Sequence, residues 1–172
     1  MTKILFLIAA FPMGLVPAQE RVENPEYKAW ASFKPGSYVK YREIREGKTL
    51  PVETELTLTL LELTGEKAVL EVHTVRSVGD NKAEMPSENR SIPATIQSGE
   101  LPVPDKEGIE EIQVAGKELM CSWVEYRVKK DTRVRIWAAS YVPGGVIRKR
   151  TTMEGRNPSV TILDAVAWKR GS

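Results

Sequence analysis

The sequence predicts a mainly β protein, a single curved antiparallel sheet or open barrel with one short N-terminal helix. Apolar and polar residues alternate along most of the chain after residue 37, as in strands with one buried face. Short sequences rich in glycine, proline and asparagine separate these segments and are typical of turns. Such short connections favour antiparallel pairing, because parallel neighbours need long crossovers.

The first eighteen residues are predicted to be a signal peptide. Lys3 provides the positively charged n-region of a signal peptide, and an uncharged apolar run extends from Ile4 to Val16. Val16-Pro17-Ala18 places compact residues at the −3 and −1 positions of a signal-peptidase site. The run is short for a bilayer span, so we expect a protein that does not span the membrane. We expect residues 19–172 to form one antiparallel β domain, located in the periplasm or secreted.

A single short helix is predicted ahead of the sheet. Asn24 suits the N-cap position and Pro25 the first helical position. Tyr27 and Trp30 are spaced to share one face of this helix. The helix is expected to end near Phe33, because a proline and a glycine follow.

Eight or nine strands are predicted after the helix. Turns are predicted at residues 46–48 and 79–82, and the proline-rich segment 86–104 is predicted to form edge strands and extended loops. The regular strands are predicted at Tyr38–Ile44, Val52–Leu63, Ala68–Val78, Ile109–Val114, Glu118–Lys129, Arg133–Val142, Gly145–Met153 and Ser159–Lys169.

The residues available for catalysis are few. The chain has one histidine, His73, and one cysteine, Cys121, each within a strand pattern. Cys121 has apolar neighbours and is predicted to be a buried packing residue, although pairing between chains stays open. Glu71 and His73 share one side of a strand, which alone is a weak indication of metal. Paired acids such as Glu110 and Glu111 leave a carboxylate hydrolase open. We predict no catalytic residues, metal or cofactor, and lean towards a non-enzymatic protein.

Positive charge is concentrated late in the sequence. Between residues 126 and 150 there are eight basic residues against one acid, Asp131. Arg133 and Arg135 share a strand face with Trp137, an arrangement that can stack on a sugar or hold an anionic head group. The alternative is that these charges simply face solvent on a β-sheet, with Trp137 covering one end of the core. A net charge of +2 and the predicted export argue against nucleic acid as a partner.

Two segments resemble a known group of proteins. Residues 30–39 read WASFKPGSYV, and residues 137–148 read WAASYVPGGVIR. With the segment GKELMC at residues 116–121, they resemble small secreted bacterial proteins of unknown function. This resemblance carries no known activity that could be transferred to the chain. The predicted architecture also looks like the half-barrel of periplasmic lipoprotein-carrier proteins, which bind acyl chains between a curved antiparallel sheet and helices. Those carriers use several helices as a lid, whereas this sequence predicts one.

These observations lead to a hypothesis about function. We expect an exported protein that binds an apolar or amphipathic envelope ligand, such as a lipid, on a curved β-sheet. The predicted ligand-binding residues are Trp30, Trp123, Arg133, Arg135 and Trp137. The alternative is an envelope scaffold or accessory protein that binds another protein through an edge strand, and a hydrolase is the third candidate. The sequence leaves strand order, ligand identity and oligomeric state open.

Overall fold

The computed structural model describes residues 20–47 and 51–172 of the chain. The predicted signal peptide, residues 1–18, lies outside these ranges. So does Lys48, the last residue of the predicted 46–48 turn.

The described ranges contain twelve strands, one α-helix and a single turn of 3₁₀-helix at Ser98–Glu100. The helix, α1, spans Pro25–Ala31. The strands are β1 (Arg21–Glu23), β2 (Tyr38–Glu46), β3 (Val52–Leu63), β4 (Lys67–Val78), β5 (Asn81–Glu84), β6 (Glu88–Pro93), β7 (Thr95–Gln97), β8 (Lys106–Val114), β9 (Lys117–Lys129), β10 (Thr132–Ala138), β11 (Val146–Met153) and β12 (Ser159–Lys169).

Ten of these strands form one open antiparallel sheet, which confirms the predicted fold class. Their order is β5-β4-β3-β2-β12-β11-β10-β9-β8, and β6 pairs with the first half of β4. Most neighbours are joined by a short turn, but β12 lies between β2 and β11, so it connects strands from the two halves of the chain. β1 and β7 form a separate two-stranded sheet.

The helix begins as the sequence predicts. The Asn24 side chain accepts a hydrogen bond from the Glu26 N–H at 3.0 Å, and Pro25 occupies the first turn. This cap satisfies a donor that would otherwise have no partner at the helix start. Glu26 also forms an ion pair with Arg90 of β6 at 2.7 Å. Trp30 is only 1% exposed and anchors the helix in the core.

Cross-strand register assigns side chains to the two faces of the sheet, because directly paired residues point to the same side. Leu60 pairs with Leu70, and Leu70 pairs with Arg90. Since Arg90 contacts Glu26 of α1, this side, called here the helix face, is the one that α1 covers. The two leucines are fully buried there.

The sheet curves at its β8 end. Arg148 of β11 donates a hydrogen bond from Nη2 to the Gln113 carbonyl of β8 at 3.3 Å. These strands are three positions apart, a separation of about 14 Å in a flat sheet, which exceeds the reach of one side chain. The sheet therefore bends towards the side that carries Arg148. The Lys117 ammonium of β9 also reaches β12, where it lies 5.0 Å from the centre of the Trp168 ring.

Three details differ from the sequence prediction. The described residues form twelve strands rather than eight or nine, because short pieces also pair: β5 at an edge of the large sheet, and β7 with β1. β10 ends at Ala138 rather than at Val142, since the following residues turn: the Ala139 N–H bonds the Gly145 carbonyl at 2.8 Å. The turn predicted at residues 79–82 is shorter, because β5 already begins at Asn81. The proline-rich segment does form an edge strand, β6, as expected.

Candidate ligand-binding site on the arginine face

Three neighbouring strands place a row of arginines on the side of the sheet opposite the helix face. Arg135 of β10 pairs directly with Arg150 of β11, and Arg133 pairs with Arg127 of β9. Like charges directly opposite each other destabilise a sheet. The surface, called here the arginine face, carries Arg127, Arg133, Arg135, Arg148 and Arg150.

Carboxylates neutralise two of these arginines. Arg148 makes a two-point contact with Asp164, from Nε to Oδ1 at 2.6 Å and from Nη2 to Oδ2 at 2.9 Å. This contact raises the pKa of Arg148. Arg135 donates from Nε to Glu125 at 3.0 Å and from Nη2 to the same oxygen at 2.9 Å. Within the described residues, no ion pair involves the other three arginines. Their charges remain available to a ligand.

Two tryptophans hold Arg135 in place. Its guanidinium carbon lies 4.3 Å from the centre of the Trp123 ring and 5.6 Å from that of Trp137. Contacts of this kind between a cation and an aromatic ring are favourable, and arginine makes them well. Gly108 lets Trp123 lie flat on β8, because a Cβ on Gly108 would fall 2.9 Å from that ring.

Trp137 is fixed as well. Its Nε1 donates a hydrogen bond to Glu110 of β8, and the residue is only 6% exposed. Trp137 therefore forms a buried wall of the site, and Arg133 and Arg150 beside it are exposed.

A cavity of about 300 Å³ opens beside this wall, called here the cationic cavity. Arg133 and Arg150 lie diagonally across β10 and β11, with Thr152 directly opposite Arg133. Long side chains at diagonal positions can reach a common point. The lining residues are Glu125, Arg133, Arg135, Trp137, Arg150, Thr152 and Glu154.

A second cavity of about 580 Å³, called here the apolar cavity, lies beside the first, around the turn between β11 and β12. The two share Thr152 and Glu154, and Thr152 pairs directly with Val160 of β12. The wall of the apolar cavity includes Met153, Pro158 and Val160. Together the two cavities form a groove that is cationic at one end and apolar at the other.

The structure brings together four of the five predicted ligand-binding residues. Arg133, Arg135 and Trp137 line the cationic cavity, and Trp123 supports Arg135 from behind. Trp30 lies elsewhere, buried against Gly144, where a Cβ would fall 3.0 Å from its ring. Its position in the core is due to that close packing, which the helical spacing alone does not reveal.

Sequence reasoning missed several lining residues. Arg150, Thr152, Glu125 and Glu154 also belong to the cationic cavity. The alternation of Arg148 and Arg150 along one strand was a usable signal for a second cationic row. Only the register, however, shows that this row faces Arg133 and Arg135.

The catalytic alternatives receive no geometric support within the described residues. His73 on β4 and Cys121 on β9 are separated by five strands, so they cannot form a nucleophile–base pair. His73 instead contacts Glu84, with Nε2 2.7 Å from Oε1. Cys121 is 1% exposed, and burial raises the pKa of its thiol. The described part of the chain contains no group of three His, Cys, Asp or Glu residues able to hold a metal ion.

Comparison with known proteins identified no relative by family model or among curated proteins. The resemblance of the two tryptophan-containing segments to small secreted bacterial proteins therefore stays a prediction. In residues 20–47 and 51–172, no helix is long and apolar enough to span a membrane.

Proposed function

We propose that this chain is an exported, non-enzymatic protein that binds an amphipathic ligand on its curved sheet. The anionic end of the ligand lies in the cationic cavity, and the apolar part lies in the apolar cavity. The observation that carries the proposal is that the two cavities share the lining residues Thr152 and Glu154. A ligand that is charged at one end and apolar at the other matches both.

The energetics of the arginine face support this proposal. The pairing of Arg133 with Arg127, neither of which forms an ion pair in the described residues, lowers the stability of the free protein. The pairing of Arg150 with Arg135 adds less, because Glu125 neutralises Arg135. An anion bound between these side chains relieves the repulsion and gains charge-assisted hydrogen bonds. Arginine suits the task, since its planar guanidinium can bind an oxyanion at two points.

The size of the groove also suits a ligand of this class. Small-molecule sites commonly have volumes of about 300–1,000 Å³ and are mostly apolar with a few polar groups. The cationic and apolar cavities, at about 300 and 580 Å³, fall in this range. The chain has one short helix and no further helical lid in its described part, so the groove stays open to solvent.

The first test is native mass spectrometry of protein recovered from a bacterial periplasm, followed by organic extraction. We expect an anionic amphiphile bound to the wild type. It should be lost from the double variant Arg133→Gln with Arg150→Gln and retained by Lys149→Gln. Lys149 is the matched control, because it lies between two arginines on the same strand but points to the other face. A bare mass for the wild type, with no binding of added amphiphiles, contradicts the proposal.

A second candidate function, binding of another envelope protein, is favoured by a different observation. Ile109, Met120 and Val128 are 74%, 62% and 61% exposed on the side of β8 and β9 that faces away from Trp123. β8 is also the outermost strand, and strand edges can pair with other chains. This candidate predicts crosslinking to a stoichiometric partner that Ile109→Glu abolishes and that the double arginine variant leaves intact.

A further inference from the structure

The charges of the cationic cavity indicate which anion the ligand carries. Arg133 and Arg150 both line the cavity, and neither takes part in an ion pair within the described residues. Arg135 is already occupied by Glu125. Two guanidinium groups are therefore left to share one anion placed between them.

We infer that the anionic group is a phosphate monoester, held between Arg133 and Arg150 with a hydrogen bond from the Thr152 hydroxyl. This inference rests on the proposed function and assigns its head group. A phosphate monoester carries close to two negative charges at neutral pH, because its second pKa is near 6. Its three terminal oxygens provide acceptors for two guanidinium forks and one hydroxyl.

The geometry of the strands supports one shared anion rather than two separate ones. Arg150 pairs with Arg135, and Arg133 pairs with Thr152, so Arg133 and Arg150 are diagonal neighbours on adjacent strands. Diagonal positions lie about 7–8 Å apart, which long side chains span from both sides. Arg135 cannot move into the same space, because Trp123 and Glu125 hold it.

The remaining charged groups around this point set the expected strength of binding. Arg127 adds positive charge from β9, next to Arg133. Glu125 faces the cavity but is paired with Arg135, whereas Glu154 lies where the two cavities meet. Glu154 repels a dianion, so Glu154→Gln should strengthen phosphate binding. Weaker binding by this variant contradicts the placement of the phosphate.

The test is calorimetric titration with octyl phosphate and octyl sulfate, which share one chain but differ in charge. We expect octyl phosphate to bind about tenfold more tightly at pH 8. Arg133→Gln and Arg150→Gln should each remove most of this preference, and Lys149→Gln should leave it unchanged. Circular dichroism of each variant verifies that the fold is intact.

A pH series separates the charge of the ligand from that of the protein. Between pH 8 and pH 5 octyl phosphate gains a proton, whereas octyl sulfate keeps one charge. The phosphate preference should therefore fall towards unity at pH 5. A preference that does not depend on pH contradicts a dianion.

The outcomes distinguish this inference from the proposed function. Equal affinity for octyl phosphate and octyl sulfate overturns the phosphate assignment and leaves amphipathic binding in place. Absence of binding by either ligand overturns both. Inorganic phosphate is the third probe: if it binds as tightly as octyl phosphate, the phosphate assignment stands, and the apolar cavity has no role. We expect inorganic phosphate to bind more weakly, because the apolar cavity then remains empty.

Discussion

Replacing Arg150 with glutamine is expected to stabilise the free protein. Arg150 lies directly across from Arg135, and within the described residues it has no carboxylate partner to lose. Like-charge pairs at directly opposed positions cost about 0.2–1 kcal/mol. Because Glu125 offsets part of the charge of Arg135, removal of Arg150 should return an amount near the lower end of this range. For a domain of this size the corresponding rise in melting temperature is about 0.5–2 °C.

The assay is urea unfolding followed by tryptophan fluorescence at low salt and again in 1 M NaCl. The gain should disappear in 1 M salt, where charges on the surface are screened over about 3 Å. Lys149→Gln is the control, since it removes one positive charge from the same strand but from the opposite face. Loss of stability in Arg150→Gln, or a gain that survives high salt, would refute the reasoning about charge repulsion.

Three further predictions concern the core and the ion pairs. Gly144→Ala should lower the free energy of unfolding, measured in urea, by about 1–3 kcal/mol, because Gly144 has a φ of 76° and lies against Trp30. Gly65→Ala is the control and should change stability little, because Gly65 has open space around it. Asp164→Asn should lower the free energy of unfolding by about 1–2 kcal/mol in the same assay, since it breaks the partly buried two-point contact with Arg148. An unchanged urea midpoint would show that this contact does not affect stability. The raised pKa of Cys121 contributes stability that is present below the pKa of the unfolded thiol and is lost as pH rises through the folded pKa. Wild type should therefore lose more stability than Cys121→Ala between pH 7 and pH 10, and parallel losses would contradict this.

Much of the fold could be predicted from the sequence because its strands follow a clear alternation. Arg133, Arg135 and Trp137 were assigned to one face from spacing alone, and the register confirms it. The N-terminus of α1 was also predictable, because Asn24 and Pro25 have local reasons to occupy their positions. These features depend on neighbours in sequence.

What could not be predicted depends on partners far apart in the chain. The position of β12 between β2 and β11 follows from packing of the whole sheet and has no local signal. For the same reason Arg150 could not be placed opposite Arg135 before the register was known. Trp30 was assigned to the ligand site on its aromatic character, but its contact with Gly144 is set by a turn more than a hundred residues later.

The central position of β12 has a consequence for how the chain acquires its structure. Local hairpins make up most of β2 to β6 and of β8 to β11. In the sheet these two groups of strands are joined by pairing with β12, which follows both in sequence. During synthesis the earlier strands therefore lack the element that joins them, and non-local pairing of this kind is slow. Until β12 is made, β2 and β11 keep unpaired edges, which can pair with other chains, so aggregation during folding is the cost of this strand order.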